Sequence, residues 1–241
     1  MKYVLDTHTH TLASGHAYNT ITEMITSAKD MGIELLGITD HGPAMPGSSH
    51  GFYFSNFRVI PRQYDNLRLS LGVELNILDY NGNIDLEEYI LPEMDHVIAS
   101  LHKCCIEPGT PTENTYAVIE AIKNPYVNII GHPDESLYNL DYDAICQAAK
   151  EYNVLLELNN SSLRSTSFRL GARENDIKLL ETCKKYSNYI SLGSDAHINN
   201  LIACFDEVDK LIQQTNFPEE LIVNTSVAKF DEFINRKKAN L

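Results

Sequence analysis

The sequence predicts an α/β barrel of seven strand–helix units, and three observations carry that prediction. Short apolar, β-rich runs alternate with stretches of helical periodicity, the pattern of βα units and a mostly parallel sheet. Seven such runs are present, followed by a helical tail. Nearly every run ends on its C-terminal side in a side chain able to bind a metal. A barrel gathers those ends on one rim, whereas an open doubly wound sheet, the structural alternative, spreads them along a line.

The strands read as Tyr3–Thr9, Leu35–Thr39, Leu69–Ile77, His96–Leu101, Asn128–Gly131, Val154–Leu158 and Tyr189–Gly193. They are short and apolar, as strands covered by helices should be. The first helix opens on the capping box Thr20-Ile21-Thr22-Glu23, turns Ile21, Met24, Ile25 and Ala28 to one face and stops at Gly32. The next runs from about Thr112, after Pro111, to Asn124-Pro125, with Val118, Ala121 and Ile122 inward. Asp141 caps a helix carrying Ile145, Ala149 and Tyr152. Later helices hold Ile177, Leu180 and Cys183, then Phe205, Val208, Leu211 and Ile212. Beyond Pro218 short helices pack Val227, Phe230 and Phe233, and Asn81-Gly82 marks a tight hairpin after the third strand. No linker or low-complexity stretch interrupts residues 1–241, which read as a single domain.

Composition narrows the function. The 241 residues carry 19 basic and 33 acidic side chains, a formal charge of −14, spread along the chain. Such a surface repels phosphate backbones, which argues against nucleic-acid binding, and divalent cations would offset part of it. Five cysteines without a C-x-x-C pair read as a reduced protein with free thiols. No apolar run approaches the ~20 residues of a membrane span, and Met1-Lys2 leads directly into a strand, so no signal peptide and a cytoplasmic location are expected.

The chemistry sits at the strand ends. Strand one closes with Asp6-Thr7-His8-Thr9-His10 and strand two with Thr39-Asp40-His41. Strands three, four and five supply Glu74, His102 and His132, and strand seven Asp195-Ala196-His197. Residues two apart on a strand share a face, so His8 with His10, and Asp195 with His197, can each reach one ion. Imidazole with carboxylate suits Zn²⁺, Fe²⁺ or Mn²⁺. One histidine at a strand end is more often structural than a ligand. Here seven of the nine fall on the predicted rim, counting His16 in the loop after strand one. His96 starts its strand and belongs at the opposite end, as a structural residue. His50 lies in a loop where packing and substrate contact are both open.

The pattern His8-x-His10, His16, Thr39-Asp-His41, Glu74, His102, His132 and Asp195-x-His197 resembles the PHP (polymerase and histidinol phosphatase) superfamily. The stretches Ser14-Gly-His-Ala-Tyr18, Ile38-Thr-Asp-His-Gly-Pro43, Leu158-Asn-Asn-Ser-Ser162 and Leu192-Gly-Ser-Asp-Ala-His197 resemble its YcdX-type phosphatase branch. The resemblance spans essentially the whole chain. It implies a distorted TIM-like (β/α)7 barrel, three divalent metals, usually zinc, and a homotrimer. It also implies three ligand groups: His8, His10, Glu74 and Asp195; Glu74, His102 and His132, with Glu74 as the bridge; and His16, His41 and His197.

For hydrolysis of a small phosphate monoester, metals would neutralise charge, acidify a bound water and hold the attacking and leaving oxygens in line, with metal-bound hydroxide as nucleophile. Asp195 could also carry a proton. Asp6 and Asp40 read as supports behind the ligands. Arg58, Arg62, Arg164, Arg169 and Arg173 are candidates to grip phosphate, and Phe52, Tyr53 and Phe54 form either part of a lid or a packing cluster. The alternatives are an amidohydrolase-type attack on a C–N bond, which usually relies on one or two ions, and a non-catalytic metal-binding protein. Structural zinc sites, however, are closed and rich in cysteine.

Overall fold

The computed structural model of the chain describes residues 1–238. β1 (Leu5–Asp6) pairs in parallel with β2 (Leu35–Ile38). A short β3 (Gln63–Tyr64) turns back on β4 (Leu67–Leu71), which lies parallel to β2. After Gly72 the chain continues as β5 (Val73–Asn76), and β6 (Val97–Ser100), β7 (Ile129–Ile130), β8 (Leu155–Asn159) and β9 (Ile190–Gly193) follow in order, each parallel to its neighbour. A parallel bridge between Thr9 and Ala196 ties the continuation of β1 to that of β9. Counting β4 and β5 as one bent strand, seven parallel strands make a distorted barrel.

The bend corrects the single strand predicted over Leu69–Ile77. At Gly72 the backbone passes so close to the His96 carbonyl that a Cβ would overlap it. β4 therefore stays on β2 and β5 swings to β6, while a His41–Glu74 bridge keeps β5 beside the continuation of β2. The hairpin expected at Asn81-Gly82 is present as an Ile77–Ile84 bridge, with Gly82 at φ 72. The β3 pairing has no counterpart in the sequence reading.

Among the described residues, α1 (Ile21–Asp30), α3 (Pro111–Lys123), α4 (Tyr142–Tyr152), α5 (Ala172–Tyr186), α6 (Asp206–Thr215) and α7 (Val227–Lys238) follow the predicted rhythm, while the short α2 (Gly51–Ser55) has no counterpart in the sequence reading. The Thr20/Glu23 capping box forms on α1 and a second, Thr110/Glu113, starts α3, satisfying helix N–H groups that would otherwise lack partners. The helices pack Met24, Ala121, Ile145, Leu180 and Leu211 against the outward strand residues Leu36, Leu156 and Leu158.

Side chains alternate along a strand. Leu36 and Leu156 face the helices, and Leu35 and Leu155 point into a second apolar cluster with Leu5, Ile98 and Ile129. Val223 and the α7 residues Phe230, Phe233 and Ile234 complete that cluster and plug one end of the barrel. Two residues further along, the same inward positions become Ser100 and Glu157, and Asn159 follows, all buried. The core thus turns polar toward the C-terminal strand ends, where the site lies.

Candidate metal centre

Glu74, at the end of the bent third strand, has no solvent exposure, and its two oxygens face different imidazoles. Oε2 lies 3.3 Å from His8 Nε2, 3.6 Å from His10 Nε2 and 2.6 Å from His41 Nδ1. Oε1 lies 2.9 Å from His132 Nε2 and 3.3 Å from His102 Nε2. Asp195 Oδ1 stands 3.2 Å from His10 Nε2, 3.9 Å from His8 Nε2 and 3.4 Å from His197 Nδ1. His197 Nε2 in turn is 3.0 Å from His16 Nε2. All nine sequence-predicted ligands are therefore brought together. The tightest groups are His8–His10–Glu74, His41–Glu74–His102 and His10–His41–His197. The first is three of the four residues of one group implied by the resemblance, the second joins His41 of the third group to Glu74 and His102 of the second, and the last joins His10 of the first group to His41 and His197 of the third.

The arrangement fits metal ions. Two ligand atoms on one tetrahedral ion at about 2.1 Å stand roughly 3.4 Å apart, close to most of these separations. His8 Nε2, His10 Nε2, His41 Nδ1 and Glu74 Oε2 are buried without a hydrogen-bond partner, and leaving such atoms unsatisfied is costly. The opposite ring nitrogens are held. His8 Nδ1 meets Glu157 Oε1 at 2.7 Å, His10 Nδ1 meets Ser14 Oγ at 3.0 Å and His102 Nδ1 meets Asn76 Oδ1 at 2.7 Å. A Nδ1–H donated to each oxygen leaves the Nε2 lone pair aimed into the cluster.

Electrostatics tell the same story. Burial alone would raise Glu74, but His8, His41 and His102 outweigh it and hold the carboxyl well below its usual range. Burial works against a charge on His8 as well. There Glu157, Glu74 and Asp195 prevail and raise it well above a free imidazole. A proton on His8 thus sits where a cation would serve the same carboxylates. Burial, then His197 and His41, push His10 well below the usual value. Burial, then Arg169, bring His132 to about 4.

Backbone shape also contributes. His132 and Asp195 have φ of 28 and 52, the left-handed region non-glycine residues avoid. Such a backbone costs about 1–3 kcal/mol, and away from the site it recurs at helix C-caps, at Asn153, Ser187 and Asn216.

Asp6 accepts from the backbone N–H groups of His8, Ser194 and Ala203, and Asp40 from Thr11, Ser14 and Tyr53, so both stand behind the ligands as expected. Glu157, Ser14, Asn76 and Asn159 were not anticipated. A carboxylate inside the apolar run Val154–Leu158 was the available signal for Glu157, which also accepts from His132 N–H at 2.8 Å. His96 is buried at the other end, with Nδ1 2.7 Å from Ser70 Oγ and its ring edge-on to Phe230. His50 starts α2 and packs edge-on against Phe52. Within α2, Phe54 is buried, Tyr53 bonds Asp40 and Phe52 stays exposed.

A cavity of about 920 Å³ opens over the centre, lined by Tyr18, Lys103, Arg164, Phe168, Arg169 and Leu201 beside the ligands. Of the candidate arginines, Arg164 and Arg169 reach it. Arg62 pairs with Asp95 at 2.8 Å and Arg173 with Gln214. Arg169 Nη1 lies 3.1 Å from Asp195 Oδ2 and 3.0 Å from Ser162 Oγ.

A parallel barrel whose strand ends converge on imidazoles gathered round one buried carboxylate defines the class as an α/β barrel with side chains able to hold metals. The family model described as "PHP domain" matches residues 6–164, and the chain belongs to this family. It is 49% identical over 237 residues to a protein of Caldicellulosiruptor saccharolyticus named "Probable phosphatase", covering 98% of both chains. It is 48% identical over 241 residues to one of Acetivibrio thermocellus with the same name, covering 100% of this chain and 99% of that one. Among solved structures, histidinol phosphate phosphatase of Lactococcus lactis, in complex with zinc, L-histidinol and phosphate, matches with a TM-score of 0.61 at 19% identity. The match covers 90% of this chain and 95% of that one, and it shows the shared fold.

Proposed function

We propose that residues 1–241 form one metal-dependent phosphatase domain that hydrolyses the phosphate monoester of a small molecule at a three-metal site. The single observation that carries this reading is Glu74, a fully buried carboxylate shared between His8, His10 and His41 on one oxygen and His102 and His132 on the other. The names of its relatives support the phosphatase activity, and the zinc in the Lactococcus lactis enzyme supports that metal over iron or manganese. We assign His8, His10, Glu74 and Asp195 to one ion and Glu74, His102 and His132 to a second. His16, His41 and His197 take the third.

Bound there, such ions neutralise phosphate charge and lower the pKa of a coordinated water to about 7. The chain's own groups do the rest. Glu157 and Ser14 fix the ring orientations of His8 and His10. Arg169 offers its guanidinium to a phosphoryl oxygen at the cavity floor while holding Asp195 Oδ2. Asp195 is the group assigned to pass a proton to the leaving oxygen. Lys103 and Arg164 add positive charge along the wall of the cavity. The charge of −14 argues against a nucleic-acid partner, and no helix among the described residues is long and apolar enough to cross a membrane. A cytoplasmic homotrimer completes the proposal.

The test measures phosphate release from generic and metabolite monoesters, with elemental analysis of the same sample. Metal-dependent release at about three ions per chain is expected. Release that persists after complete chelation, or a chain holding one ion or none when active, overturns the reading.

A further inference from the structure

Outside the histidine cluster, three sulfur atoms converge beside it. β6 runs into a turn that carries His102 and then Cys104 and Cys105. It is closed by the Cys105 and Ile106 N–H groups on the His102 carbonyl at 2.8 and 3.0 Å. Cys104 Sγ lies 3.7 Å from Cys105 Sγ and 3.3 Å from Met45 Sδ, which comes from the segment after β2. Cys104 is exposed, and both Cys104 and Met45 line the wall of the cavity over the metal centre.

We propose that Cys104, Cys105 and Met45 form a second, sulfur-only site for a soft thiophilic cation, Cu(I) by chemistry, at the lip of the catalytic cavity. Two sulfurs bound to one three-coordinate ion at about 2.3 Å stand about 4.0 Å apart, so the thiol pair at 3.7 Å is near the required spacing and the Met45 thioether, 3.3 Å from Cys104, has to move outward by less than about 1 Å. A thioether beside thiols selects a soft ion, since harder cations take oxygen and zinc has the imidazoles alongside. Cys146 and Cys183 are also 3.7 Å apart, but both are fully buried in the core between α4 and α5.

The binding step exchanges protons and leaves oxidation states alone. Two thiols and Cu(I) give a bis-thiolate copper anion and two protons, with the neutral Met45 thioether as third donor. A thiolate is the ligand, so the ion must displace the thiol protons and its affinity increases with pH. Because the turn closes on the carbonyl of His102, an ion there constrains a residue of the catalytic cluster and crowds the cavity entrance. Occupancy should lower turnover. This last clause rests on the phosphatase reading, whereas the binding clause does not.

The experiment uses the metal-loaded full chain under anaerobic conditions, with Cu(I) titrated against a chromophoric Cu(I) chelator. Bound copper, bound zinc, sulfur-to-copper absorption and phosphate release are read on the same sample. Expected is a single tightly held Cu(I) per chain with zinc unchanged, and turnover falling as copper binds. Cys104→Ser and Cys105→Ser should lose the copper, Met45→Leu should hold it more weakly, and Cys146→Ser should bind as the parent does. Absence of uptake, uptake that survives Cys104→Ser, or uptake matched by loss of zinc overturns the site. Copper held by the thiols without change in turnover overturns the coupling. Copper binding in a chain that releases no phosphate with any ester leaves the site standing and removes the phosphatase reading instead.

Discussion

Glu74 shows how much one side chain carries. Two divalent cations about 3.5 Å apart repel strongly, and a shared carboxylate both ties them together and offsets that repulsion. Glu74→Gln keeps the shape and removes the charge. Its expected result is loss of one or both bridged ions, near-abolished turnover and a surviving fold, checked by elemental analysis, phosphate release and circular dichroism. Full metal content with full activity would refute the bridge. His96 is the contrasting histidine. Its substitution removes a buried hydrogen bond to Ser70 and should cost stability on the order of 1–3 kcal/mol without changing metal content. Gly193 works by having no side chain, since a Cβ there would overlap Glu157 Oε1 and press on His8. Gly193→Ala is expected to displace Glu157, untie the His8 ring and weaken metal binding. A competition titration with a zinc chelator measures this, and unchanged affinity would show that the glycine is incidental. At this scale the sequence was informative wherever a ligand type stood at a strand end. It was silent on Ser14 and Asn76, common residue types whose roles arise only when distant segments meet.

Among the elements, α7 and α5 make opposite contributions. α7 closes the end of the barrel away from the site with Phe230, Phe233 and Ile234, and Asp231 anchors it to Arg68 on β4. Phe230→Ala should cost about 3–5 kcal/mol through lost burial and a residual cavity. Metal stoichiometry should stay the same, because the plug and the cluster lie at opposite ends. Urea unfolding of the metal-loaded chain checks this. α5 instead buries Asp176 completely. Burial, then Asp134 and Glu157, raise this carboxyl well above its usual value. The folded state therefore holds that proton more tightly than the unfolded chain. The associated stability is whole below the unfolded pKa of about 3.9 and is lost as pH rises through the folded value. Asp176→Asn removes that loss, so its advantage over the parent should grow from pH 5 to pH 8 in melts of the metal-free chain. A constant difference across that range would refute the argument.

For the whole molecule, the acidic balance and the site act together. The chain carries −14 formally, and Glu74, Asp195 and Glu157 lie buried around the same imidazoles. Divalent ions held there would neutralise those carboxylates, and binding to the native state alone would stabilise it by mass action. Chelation should lower the melting temperature and abolish phosphate release together, and re-addition of zinc should restore both. An unchanged melting temperature after full metal removal would mean that the cluster is stable on its own protons. Activity should rise through about neutral pH and fall in acid, where protons displace metal from the histidines. A maximum near pH 4 with metal retained would point to another mechanism.

The sequence by itself determined the seven-strand α/β order, the caps of α1 and α4, the apolar tail and the metal-capable residues that meet at the strand ends. Each of these is local: alternation, periodicity, capping chemistry and a metal-capable residue at the end of a strand can be read within a few positions. The tertiary structure decided where the third strand breaks, because Gly72 matters only through the carbonyl of His96 packed against it. It also decided which arginines face the cavity, sending Arg62 to Asp95 and Arg169 to Asp195. Glu157 became a support for His8, 149 residues away. Contacts between residues so far apart in the chain depend on how seven strands close around one core, and no local pattern encodes that distance.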